Sequence, residues 1–134
     1  MSARYFYQPG AAAKARQAAV AAVALDGNLA DGRTALASVL IDEFEWWSAR
    51  GELEKALAAN PNHAPAHTLY GELLIRTSEI ESGLRELEWA LELDPLSPHT
   101  NAALGVGLVR ARRYEEAMAT FSRTAELDPK FIAS

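Results

Sequence analysis

The sequence predicts an all-α protein: a right-handed α-solenoid of stacked antiparallel helix pairs, about three repeating units behind an N-terminal helix. Three observations carry this expectation. Alanine is abundant and β-branched residues are sparse, which favours helix over strand. Strings closing on proline recur as LAANP at Pro61, LELDP at Pro95 and AELDP at Pro129, a constant stride of 34 residues. Sliding the chain by that stride superposes large residues on large and small on small.

Each element follows from that register. Residues 9–26 contain AAAKARQAAVAAVAL, a helix whose Lys14 and Arg16 interrupt any resemblance to a secretory apolar core. Units then span 30–63, 64–97 and 98–131, preceded by a partial unit at 9–29, all within one domain of 134 residues. Within a unit, Leu36, Tyr70 and Leu104 align, then Ala37, Gly71 and Gly105, then Leu40, Leu74 and Leu108. Further on, Trp46 aligns with Ile80 and Tyr114, Ala49 with Gly83 and Ala117, and Leu53 with Leu87 and Phe121. The apolar spacings are helical and break twice per unit, predicting helices near 29–43, 46–59, 64–76, 80–93, 98–111 and 114–127. Small beside large has a mechanical reason, because two helices approach closely only where one offers Gly or Ala.

The stretch LELDPLSPHTNAALGVGL is therefore a junction between units. Proline pushes Asp94 out of helical geometry, Ser97 caps the next helix and Pro98 occupies its first turn. Gly105 is a packing notch, whereas Gly107 has no evident reason to be glycine. No strand precedes this Gly-x-Gly, so a nucleotide-binding loop is disfavoured.

Tyr70-Gly71, Leu74, Ala90-Leu91 and Leu93-Asp94-Pro95, with Leu104-Gly105, Tyr114, Ala117, Phe121 and Asp128-Pro129, resemble the tetratricopeptide repeat (TPR). Arg33, His67 and Asn101 stand where that family often has tryptophan, and Gly83 replaces its usual alanine. FEWWSARGELEKALAANPNHAPAH and LDPLSPHTNAALG further resemble TPR segments of bacterial regulatory proteins, which accompany winged-helix heads, nucleotide cyclases or Ser/Thr kinases. The resemblance implies a sensing or scaffolding module of a larger protein, whose first helices line a concave face; a non-catalytic role binding a protein or peptide and a cytoplasmic location are expected.

Helical spacing places Thr34, Ser38 and Ile41, Thr68, Glu72 and Ile75, and Ala102, Val106 and Val109 roughly opposite the packing stripe, with Asp42, Arg76 and Arg110 at the rim. This face reads as small and apolar with one carboxylate, suited to a helix or extended peptide. The alternative is that part of it packs on neighbouring helices. The clamp by which some TPR proteins grip acidic chaperone tails needs Lys, Asn and Arg. The matching positions are Thr34, Ser38, Leu69, His99 and Ala103, and none qualifies.

Other candidates are weaker. His63 and His67 stand four apart, but Pro65 sets the helix start at this point and no third ligand is near, so no metal and no cofactor is expected. Phe44 and Trp47 have no aromatic counterparts in the other units. They are either an exposed anchor or packed on the N-terminal helix. Phe131 and Ile132 read as the start of a further helix, so the last unit's apolar side suggests a longer array, a missing partner or a homodimer through that end. Tyr5-Phe6-Tyr7 is an aromatic tail, and Arg110, Arg112, Arg113 and Arg123 form a small basic cluster. Small-ligand sensing between repeats is a third, weaker reading.

Composition narrows the rest. The absence of cysteine excludes disulfides and thiolate chemistry. Net charge is −5, distributed as +3 over 1–25, −9 over 26–94 and +1 over 95–134, and such an acidic middle repels a phosphate backbone. No apolar run is long enough for a membrane span, and no Ser/His/Asp grouping or phosphate cradle survives placement on helices.

Overall fold

The computed structural model describes residues 11–26 and 29–130. Its helices are α1 (Ala11–Leu25), α2 (Ala30–Asp42), α3 (Trp46–Ala59), α4 (Ala64–Arg76), α5 (Ile80–Leu93), α6 (Pro98–Arg110) and α7 (Tyr114–Leu127). Every boundary lies within two residues of the expected one. Tyr5-Phe6-Tyr7, Phe131 and Ile132 lie outside the described residues. Helices α2/α3, α4/α5 and α6/α7 form pairs, α1 packs on α2, and each pair touches the next through α3/α4 and α5/α6. The first helices also touch one another in the order α2, α4, α6, and this gives the array its shared face.

Local chemistry sets the helix ends. Ser97 accepts the Thr100 N–H at 3.2 Å on its hydroxyl, the expected cap for α6. The turn inside each pair is the same motif three times, at residues that carry no glycine. Phe44, Ser78 and Arg112 have φ of 61°, 70° and 63°, one stride apart. In each case the following N–H reaches back five residues, as Glu45 to Leu40, Glu79 to Leu74 and Arg113 to Leu108, at 2.8, 2.8 and 2.9 Å. This is a Schellman closure, whose left-handed residue is usually glycine. Glycine's absence at these positions hid the motif from sequence reading.

Arg33, His67 and Asn101 stand one stride apart near the start of each first helix, and the last two hold the junctions between units. His67 is buried, with Nε2 2.7 Å from the Pro61 carbonyl, Nδ1 2.7 Å from Glu86 and its ring stacked 4.3 Å from Trp89. One stride on, Asn101 donates to the Pro95 and Ser97 carbonyls at 3.2 and 2.9 Å. Arg33 instead pairs with Glu52 at 2.8 Å. His67 is thus a packing and hydrogen-bonding residue, while His63 lies 3.2 Å from Asp31. Among the described residues, no cluster of three His, Asp or Glu side chains is arranged to hold a metal.

Close approach explains the glycines. A Cβ on Gly71 would sit 2.7 Å from Leu87 Cγ, and one on Gly83 would sit 2.8 Å from the Gly71 carbonyl oxygen, so α4 and α5 cross almost backbone to backbone. The expectation that Gly107 lacks a packing reason is corrected here. Its Cβ would meet Ile75 Cδ1 at 2.6 Å and Leu84 Cδ2 at 2.9 Å, which makes it the socket for the preceding unit. The alternative of packing on the N-terminal helix fails for Phe44 and Trp47, which are 78% and 84% exposed. Trp46, by contrast, packs against the buried cluster of Ala37, Leu40 and Leu53.

Two substitutions at glycine-sensitive positions should move stability in opposite directions. Helix propensity alone would have Gly107→Ala gain about 1 kcal/mol. Overpacking against Ile75 and Leu84 should instead make it lose about 1–3 kcal/mol, read from urea unfolding. Ser78→Gly should gain about 1 kcal/mol by relieving the left-handed residue, visible as a higher denaturation midpoint with unchanged slope.

Candidate functional site: the face of the first helices

At about 100° per residue, the positions directly opposite Leu36, Ala37 and Leu40 on α2 are Ala35, Ser38 and Asp42. Their mates are Leu69, Glu72 and Arg76 on α4, and Ala103, Val106 and Arg110 on α6. The structure follows this stripe. Thr34, Ile41, Thr68, Ile75, Ala102 and Val109 lie to its flank, rotated toward the neighbouring unit. Ile41, Thr68 and Ile75 are accordingly buried. Asp42, Arg76 and Arg110, expected at the rim, belong to the central stripe.

Two hollows lie along this face and share Glu72. The first, about 360 Å³, is lined by Thr34, Ser38, Thr68, Leu69, Glu72 and His99, with Asp94 and Ser97 at the α5–α6 junction. Its floor is hydroxyl-rich: Thr68 and Thr100 join their side chains at 2.9 Å, and Thr34 donates to the Ala30 carbonyl at 2.7 Å. The second, about 280 Å³, is lined by Glu72, Ile75, Arg76, Ala103, Val106 and Arg110. Ile41, Asp42, Ala102 and Val109 line neither. The face is therefore not simply small and apolar with one carboxylate. It carries one carboxylate and a histidine on one side of Glu72, and two arginines on the other.

Of the lining residues, Ala35 and Asp94 were not singled out from the sequence as part of this face, and Leu69, His99 and Ala103 entered only as positions matching the acidic-tail clamp. The signal for three of them was present, since Ala35, Leu69 and Ala103 form the stripe one helical step from the one chosen. His99 enters through tertiary contact, with Nε2 2.8 Å from Glu72 Oε1 across the α4–α6 gap. That hydrogen bond holds the imidazole pKa above its ordinary value, with Glu72's charge adding to it and burial opposing.

The arrangement is the tetratricopeptide-repeat fold: antiparallel helix pairs stacked at a 34-residue stride with the first helices sharing a face. Among solved structures, the chain is similar to TTC0263, a thermophilic TPR protein of Thermus thermophilus, with TM-score 0.83, 22% identity and coverage of 92% of this chain and 69% of that one. It is also similar to MamA, with TM-score 0.76, 21% identity and coverage of 93% and 73%. For MamA from Desulfovibrio magneticus RS-1 the values are 0.75, 25%, 90% and 68%. The sequence matches no family model and no curated protein. No helix among the described residues is long and apolar enough to cross a membrane.

The His99–Glu72 pair generates a pH signature. Because the folded value is raised, the pair stabilises fully below the imidazole's unfolded value of about 6.5, and this is lost as pH rises through the folded value. Both side chains are partly exposed, so the expected size is a few tenths of a kcal/mol. The stability gap between parent and His99→Gln, from urea titrations, should be widest just below the imidazole's unfolded value of about 6.5 and should close as pH rises through the raised folded value. A gap that does not change with pH would dissolve the pair as a stabilising contact.

Proposed function

We propose that this chain is a non-catalytic scaffold that binds an extended or helical segment of a partner protein along α2, α4 and α6. The observation that carries this reading is the continuity of the two hollows, which meet at Glu72 and run across successive first helices. A segment lying there would meet main-chain-compatible hydroxyls, short apolar side chains and charges of both signs. The similarity in fold to TPR proteins supports the same reading. The resemblance of residues 44–67 and 93–105 to segments of bacterial regulators supports a place in a larger regulatory protein, in the cytoplasm, with direct nucleic-acid binding disfavoured by the acidic middle units.

A second reading, self-association through the last unit, has its own observation. Ile75 and Leu84 are 4% and 1% exposed under Gly107, yet their mates one stride on, Val109 and Met118, are 42% and 71% exposed. The third unit thus presents the same pair of knobs without the same cover.

A charged residue at Ile75, which looks suitable for testing the groove from sequence, would disrupt the unit interface instead. The test belongs at exposed positions. A photocrosslinking residue at Ser38 or Val106 should capture a discrete partner, while one at the outward Glu88 should not. Equal capture from all three sites would remove the groove reading. For the second reading, sedimentation velocity should show parent dimers at high concentration and Met118→Lys monomers. Identical profiles would end it.

A further inference from the structure

The second hollow holds two guanidiniums that the fold itself does not use. Arg16 reaches Glu43 and Glu45, Arg33 reaches Glu52, Arg50 reaches Glu79 and Arg113 reaches Glu116, all between 2.7 and 3.1 Å. Among the described residues, Arg76 and Arg110 form no ion pair and no side-chain hydrogen bond. Among the described residues Arg112 also lacks an ion pair, and Arg85 and Arg123 reach only the Ser82 hydroxyl and the Pro95 carbonyl, so what sets Arg76 and Arg110 apart is that both line one hollow. The carboxylate that shares their hollow, Glu72, is turned to His99 across the groove.

Helix dipoles account for a cation at the end of α4 and another at the end of α6. They do not account for both flanking one apolar floor of Ile75, Ala103 and Val106. The repeat places Arg76 and Arg110 on adjacent helices at equivalent positions, whereas the third mate, Asp42, is acidic and lines neither hollow. Two planar donors over aliphatic side chains suit one oxyanion with an apolar neighbour. Asp94 lines only the adjoining hollow, and Glu72, which lines both, is held by His99, so a uniformly acidic segment would be repelled there and the anion is confined to the side of the two arginines.

We propose that the hollow between the C-terminal ends of α4 and α6 is a subsite for one oxyanion-bearing side chain of the bound segment, held by Arg76 and Arg110. An aliphatic neighbour of that side chain rests on Ile75, Ala103 and Val106. This rests on the groove reading above and adds the chemistry of the partner to it. Carboxylate and phosphoryl groups share the required chemistry.

The test is a titration of the full chain, followed by amide NMR, with acetylated and amidated hexapeptides Ala-Leu-X-Leu-Ala-Thr in which X is glutamate, phosphoserine or glutamine. The glutamate or phosphoserine peptide should shift the Ala103 and Val106 amides, and the tighter of the two identifies the oxyanion. The glutamine peptide should bind at least about tenfold more weakly. The double variant Arg76→Gln, Arg110→Gln should lose that preference while keeping its circular dichroism and melting midpoint, because both side chains are exposed. Equal binding of all three peptides would overturn the subsite. Shifts confined to the Thr34–His99 hollow would overturn the subsite and leave the groove reading standing, and shifts in neither hollow would remove both.

Discussion

The interlock of glycine with aliphatic side chains is the constraint on which the remaining architecture depends. Gly71 and Gly83 let α4 and α5 cross at the distance where Leu87 and Ile75 fit, and Gly107 then receives Ile75 and Leu84 from the unit before. Ile75 therefore belongs to both contacts. It fills the notch inside its own pair and projects into the next one, so the spacing within a unit and the spacing between units are set by one side chain. The separation of α4 from α6, and with it the width of the groove, follows from that shared contact.

Much of this was legible in the chain. The 34-residue stride, the helix ends and the small-to-large pairing come directly from residue spacing, because stacked units of equal size must repeat their contacts in register. Gly107 was not legible. Its reason lies in Ile75 and Leu84 of another unit, and nothing local to GVG announces them. The Schellman turns escaped for the opposite reason: the expected marker is glycine, and Phe44, Ser78 and Arg112 stand there instead.

The site was half legible. Two hollows do lie along the first helices, but the stripe chosen from spacing is rotated toward the neighbouring unit, so Ile41, Thr68 and Ile75 are buried. A strict count of about 100° per residue selects Ala35, Ser38 and Asp42 and their mates, which brings Arg76 and Arg110 from the edge to the middle. His99 could not be found this way, because its place depends on how α6 lies against α4. The charges also separate along the groove in a way that total charge conceals. Asp94 and His99 stand on one side of Glu72, which both hollows share, and the two arginines on the other.

The bonds from His67 and Asn101 to the proline carbonyls govern how the array can flex. At the first junction a single imidazole ties Pro61 to Glu86 and is gripped by Trp89, joining the turn to both helices of its unit. At the second, Asn101 reaches the Pro95 and Ser97 carbonyls in the turn before it, and Arg123 of α7 reaches the same Pro95 carbonyl at 3.4 Å. Each proline carbonyl is therefore tied, directly or through His67, to both helices of the unit that follows it. A load applied along the array meets a clasp at either junction, so neighbouring units would lean together before they part.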